Sequence, residues 1–229
     1  MALQYPTFLI NFKRYEGTAG EDGLERTKTV EAVAERTGTS IAVAPQTPDL
    51  FRIASVTDLP IVTQSVDAVE PGRGTGEVGL PAIEAAGADG VLINHPESRE
   101  TLADVEATVR GCRDRGLESI VCVDSVEMGR AVLAFDPDCL LFENPADIAT
   151  GRSLAVTAPE RVETFVSMVR EENARTRILL GGGITTRADV TASLKLGADG
   201  AGAASAFTNA ADRDAWLTDI AEGLLDGDG

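Results

Sequence analysis

Gly90-Val91-Leu92-Ile93-Asn94-His95-Pro96-Glu97 is an unbroken apolar run stopped abruptly by polar residues, a histidine and a proline. A half-exposed strand alternates apolar and polar residues. A continuous run of this length, carried from residue 88 to 94, reads as a strand covered on both faces, which is how parallel sheets are built. The stretch 101–115 that follows carries helical periodicity, so strand and helix form one crossover unit. His95, the chain's one histidine, stands where the strand ends.

Working outward from this unit, the alternation repeats in both directions. Upstream, strands are expected at 7–12, 40–44 and 60–63, with helices over 24–36, 49–55 and 79–86 and a polar turn at 71–76. Downstream, strands are expected at 119–123, 139–142, 177–180 and 200–204. The helices there cover 125–134, 159–173, 187–196 and a terminal segment holding Trp216 and Leu224. Pro159 suits a first helical turn, where a missing donor costs little. Eight strand units each followed by a crossover close most naturally as a barrel, with a doubly wound sheet as the alternative. The fold expected is therefore α/β, a single-domain eight-stranded parallel (β/α)8 barrel over residues 1–229.

Composition narrows the function classes. The chain has 229 residues, 37 acidic against 20 basic, and a formal net charge of −17. Such a surface repels nucleic-acid phosphates and anionic membranes, so neither is an expected partner. Only Lys13, Lys28 and Lys195 are lysines. Dense carboxylates with few lysines resemble the surfaces of proteins from salt-loving microbes, where strong salt screens the repulsion. Cys112, Cys122 and Cys139 have neither paired spacing nor histidine partners, so no zinc site or disulfide framework is implied. No secretory leader or membrane-spanning apolar run is evident, and a cytoplasmic setting is expected.

In a parallel barrel the residues just beyond the strand C-termini gather at one mouth. That brings together Asn11 and Lys13 after the first strand, His95 after the fourth and Glu143 after the sixth. Singly, each has a bland explanation: a solvated lysine, a surface histidine, a loop-capping glutamate. Together they make a cation, a neutral acid-base group and a carboxylate, a set suited to moving a proton next to a carbonyl. Gly181-Gly182-Gly183 after the seventh strand and Gly202-Ala203-Ala204-Ser205 after the eighth offer backbone N–H groups for a phosphate. There is no GxxxxGK[ST] loop and no dinucleotide fingerprint after the first strand, and no cofactor or metal is called for.

Three segments together resemble one family along essentially the whole chain: Asn11-Phe12-Lys13, Asn94-His95-Pro96-Glu97-Ser98-Arg99, and the base-and-lid stretch from Glu143-Asn144-Pro145 through Asp147-Ile148-Ala149-Thr150-Gly151. The family is triosephosphate isomerase, and the chain is similar to its short archaeal branch. The resemblance implies interconversion of dihydroxyacetone phosphate and D-glyceraldehyde 3-phosphate through an enediol or enediolate. It implies Glu143 as proton shuttle, neutral His95 as electrophile and Lys13 as stabiliser of negative charge. That division of labour is also a standard worked case of pKa tuning in this enzyme. It further implies Asn11 as an orienting group, Glu97 as a supporting carboxylate, phosphate contacts at Gly183, Ala204 and Ser205, Ile148 in a lid, and Gly151 as a hinge. A homodimer or homotetramer is implied as well, with the loop 74–76 reaching a neighbour near Lys13. The chain departs from the family pattern at Pro96, where serine is common, and at Ser98, usually arginine. A competing enzyme reading is another phosphate-binding isomerase or an aldolase-like barrel, since one fold supports many chemistries, and a non-enzymatic one is a phosphate-metabolite binding barrel.

Overall fold

The computed structural model describes residues 3–148 and 150–227. Ala149 of the base-and-lid stretch lies outside the described residues, as do Met1, Ala2, Asp228 and Gly229. Eight strands, β1 (Thr7–Asn11), β2 (Ser40–Ala44), β3 (Val62–Thr63), β4 (Gly90–Ile93), β5 (Glu118–Val123), β6 (Cys139–Phe142), β7 (Arg177–Leu180) and β8 (Gly200–Ala203), pair in parallel in the order β2-β1-β8-β7-β6-β5-β4-β3. The circle closes between β2 and β3, where the Val43 N–H donates to the Pro60 carbonyl at 3.1 Å and Val43 bridges Ile61 in parallel. The barrel expected from the alternating pattern is the barrel observed.

The outer helices are α1 (Gly20–Thr37), α2 (Leu50–Ala54), α3 (Leu80–Ala85), α4 (Leu102–Arg115), α5 (Val126–Leu133), α6 (Leu154–Thr157), α7 (Pro159–Glu172), α8 (Arg187–Lys195), α9 (Ser205–Asn209) and α10 (Arg213–Asp226). Among the described residues no helix is long and apolar enough to cross a membrane. Strand side chains alternate between two cores, because successive residues of a strand face opposite ways. Leu9, Ala42, Val62, Leu92, Ile120, Leu141 and Leu179 fill the barrel, and Phe8, Ile10, Val43, Val91, Val121 and Phe142 pack outward against the helices. All three cysteines are free and buried.

Several boundaries differ from the sequence expectation, and two of the differences have a local cause. Helix α1 starts at Gly20 instead of residue 24, because the Asp49 carboxylate accepts the Gly20 N–H at 2.7 Å and supplies the cap that the local sequence lacks. Strand β4 stops at Ile93, since Asn94 turns into the left-handed region at φ 59°. Only Val62 and Thr63 of the third apolar run are paired as a strand. The segment after Glu143, expected as loop, contains a 3₁₀ turn over Pro145–Asp147 and the short helix α6.

At the barrel floor, an aspartate stands immediately before each of β4, β6 and β8, and its carboxylate accepts a backbone N–H from the neighbouring odd-numbered strand or its lead-in. Asp89 takes Ile61 at 2.9 Å, Asp138 takes Ser119 at 3.0 Å and Asp199 takes Ile178 at 2.8 Å. Asp138 and Asp199 are also paired with arginines, Arg175 at 3.0 Å and Arg170 at 2.6 Å. The amino-terminal segment crosses the same end: Leu3 is buried in the barrel core, its N–H donates to Glu118, and the Tyr5 hydroxyl donates to the same carboxylate.

Candidate active site

At the opposite end the strand C-termini surround a cavity of about 260 Å³. Its lining includes Asn11, Lys13, His95, Glu143, Ile148, Gly183, Ala204 and Ser205, so every catalytic and substrate-contact candidate read from the sequence reaches one space. Glu97 lies outside that lining, on the far side of Lys13, where its carboxylate meets Nζ at 3.1 Å.

Each group is aimed by its own strand end. Lys13 follows β1 in a left-handed conformation, φ 45°, which a non-glycine residue adopts only when held. Asn11 Oδ1 holds it by accepting the Lys13 N–H at 2.9 Å, and Gln64 Nε2 donates to both the Lys13 and Ala44 carbonyls. His95 follows β4. Its Nδ1 accepts the Glu97 N–H at 3.1 Å, which keeps that nitrogen unprotonated and places the ring proton of the neutral form on Nε2. Nε2 points toward Glu143, 3.7 Å from Oε1.

The electrostatics separate the two groups. Burial, with the Lys13 cation adding to it, pulls the His95 pKa from 6.5 down to about 4, so the ring is neutral at physiological pH. Burial pushes Glu143 up from 4.5 to about 7, against the opposing pull of Lys13. Glu143 is only 5% exposed, and its Oε1 has no hydrogen-bond partner among the described residues. An unpaired buried carboxylate oxygen is costly, and it makes Glu143 a stronger base than an exposed carboxylate.

Two glycines are there for steric reasons. A Cβ on Gly181 would lie 2.8 Å from Leu141 Cδ2 and 2.9 Å from Glu143 Oε2, so any larger residue would shift the Glu143 carboxylate or Leu141. Gly183 has φ 73°, and a Cβ there would come within 2.3 Å of the Arg152 carbonyl oxygen. The lid base and the β7 loop therefore touch backbone to backbone. At that base Asp147 is buried and paired with Arg152 at 2.8 Å, and Asn144 Nδ2 donates to the Asp147 carboxylate at 2.7 Å.

Sequence reasoning missed Gln64, Asn94, Glu100 and the Asp147–Arg152 pair. Gln64 and Asn94 carried a weak signal, since each is a polar residue immediately after a strand. The Pro96 departure has a local explanation. The His95 carbonyl accepts the Ser98 N–H at 2.7 Å, closing a four-residue turn with Pro96 in second place, where the fixed φ of proline is preferred.

Comparison with known proteins agrees with this geometry. The family model described as triosephosphate isomerase matches residues 6–223. The chain is 41% identical over 202 residues to triosephosphate isomerase of Methanocaldococcus jannaschii, covering 88% of this chain and 92% of the relative. It is 39% identical to that of Methanosarcina acetivorans, covering 94% and 97%, and 37% identical to that of Methanopyrus kandleri, covering 97% and 99%. A crystal structure of triosephosphate isomerase from Bartonella henselae superposes with a TM-score of 0.72 over 97% of this chain and 98% of that one, at 18% identity, a likeness of fold. The chain belongs to the triosephosphate isomerase family and is a homologue of its archaeal members.

Proposed function

We propose that Glu143, His95 and Lys13 perform the family's reaction here, the interconversion of dihydroxyacetone phosphate and D-glyceraldehyde 3-phosphate. Glu143 removes the carbon-bound proton beside the carbonyl and returns it to the adjacent carbon. The His95 Nε2–H donates to the oxygens of the enediolate, and the Lys13 ammonium offsets the negative charge that accumulates. Asn11 orients Lys13, and Glu97 restrains its ammonium from the other side. Backbone N–H groups at Gly183, Ala204 and Ser205 take the phosphate, and Ile148 covers the substrate with Gly151 as the lid hinge.

The observation that carries this reading is the unpartnered Glu143 Oε1 facing the neutral ring at 3.7 Å. The deciding experiment is a coupled isomerase assay at high salt on the natural chain and Glu143→Ala. Loss of turnover by a factor of about 10² to 10⁴ supports the assignment, and equal turnover defeats it. Borohydride trapping of substrate on a lysine would instead favour an aldolase-like reaction.

The net charge of −17 supports two further parts of the reading, a halophilic source with strong salt inside the cell and a salt-dependent assembly. The expected assembly is a homodimer or homotetramer, with Gly74-Thr75-Gly76 reaching a neighbour near its Lys13. Sedimentation across potassium chloride concentrations measures it, and a monomer at every concentration would remove it.

A further inference from the structure

His95 sits inside a seven-residue loop whose two ends bond to each other twice. The Asn94 N–H donates to Glu100 Oε1 at 2.7 Å, and the Glu100 N–H donates to Asn94 Oδ1 at 3.2 Å. Asn94 Nδ2 then fastens this ring to the barrel by donating to the Cys122 carbonyl on β5 at 3.1 Å. Asn94 is buried and holds φ 59°, a conformation that an asparagine keeps at some cost when its surroundings fix it. Inside the ring, the Pro96 turn presents the Glu97 N–H to His95 Nδ1. The outer ion pair of Arg99 with Asp124, 2.6 Å long, is substantially exposed and restrains the loop little.

From this geometry we infer that Glu100 is a positioning residue for His95: its carboxylate closes the ring that aims the imidazole at the substrate and sets which nitrogen carries the proton. The inference rests on the reading of His95 given above. Removing Glu100 Oε1 leaves the buried Asn94 N–H unpaired and frees the left-handed residue on which the histidine pivots. An ångström of misplacement at a reacting group costs up to about a hundredfold in rate, whereas phosphate contacts on the far strands do not depend on this loop.

The single histidine makes the test clean, because every imidazole signal in the chain comes from residue 95. Glu100→Ala should lower kcat by about 10- to 100-fold with KM within about twofold. Its ¹⁵N imidazole resonances should shift from the Nε2–H form toward an average of both tautomers. Glu100→Gln keeps an acceptor for the Asn94 N–H and should restore both the rate and the resonances. If Glu100→Ala does not fold, Glu100→Met serves in its place, since it fills the same space and offers the Asn94 N–H no carboxylate. Natural kcat and unmoved resonances in Glu100→Ala, or in Glu100→Met where that variant stands in, would overturn the inference. So would a Glu100→Gln variant as impaired as Glu100→Ala. His95→Gln measured alongside separates the two claims: natural activity there defeats the role of His95 itself, independently of what the resonances report about the ring.

Discussion

The two ends of the barrel treat their carboxylates in opposite ways. At the floor, Asp138 and Asp199 each accept a backbone N–H and an arginine, and Asp89 accepts the Ile61 N–H. At the mouth, Glu143 is more deeply enclosed yet keeps one oxygen without a hydrogen-bond partner among the described residues. A satisfied carboxylate stabilises the folded chain. An unsatisfied one is a burden on it and a reagent for chemistry. The barrel therefore divides its work along its axis, with stability at the strand starts and proton transfer at the strand ends.

Substitutions at the two ends should break in different currents of measurement. The largest effect is expected for Glu143→Gln, with kcat reduced by about 10² to 10⁴ in the coupled assay. His95→Gln should follow at about 10² in kcat, with phosphate inhibition little changed. At the floor, Asp199→Ala should cost about 2–3 kcal/mol in denaturant unfolding while kcat stays within about twofold, because it strips charge-assisted bonds far from the mouth. Loss of activity in proportion to that of Glu143→Gln would erase the contrast.

A smaller effect has the opposite sign. The folded pKa of Glu143, about 7, lies above its ordinary 4.5, so between these values the folded chain holds the proton more tightly than the unfolded chain. Stability from this group falls as pH rises through that window, and its cost is complete above about pH 7. Glu143→Gln should accordingly raise Tm above pH 7 while cutting turnover, whereas Asp199→Ala lowers Tm. For His95, held near 4 against 6.5, the unfolded chain binds the proton first, so its contribution is lost as pH falls from 6.5 toward 4. The gentlest perturbation is salt: Tm should climb from low to multimolar potassium chloride, and a flat series would remove the salt-adapted reading.

The barrel was legible because its strands are continuous apolar runs and its crossovers are periodic, and the strand ends then pointed to one mouth. Lys13, His95 and Glu143 were legible because each is a chemical group placed directly after such a run. The supports were not. Asn94 and Glu100 look like ordinary loop residues until φ 59° at Asn94 brings them face to face. The floor aspartates occur in Ala88-Asp89-Gly90, Pro137-Asp138-Cys139 and Ala198-Asp199-Gly200, but their partners lie on the preceding strands and emerge only with the register. Gln64 follows the same logic, reaching across to the Lys13 and Ala44 carbonyls from another strand end.

Leu3 and Tyr5, anchored on Glu118, cover the floor of a barrel whose interior is already filled by side chains from Leu9 to Leu179. On the proposed mechanism, a proton held on Glu143 between the two half-reactions reaches bulk water through the mouth, past Ile148. Washout of solvent deuterium into product should therefore be governed by how often the lid opens, and loosening the floor should leave it unchanged.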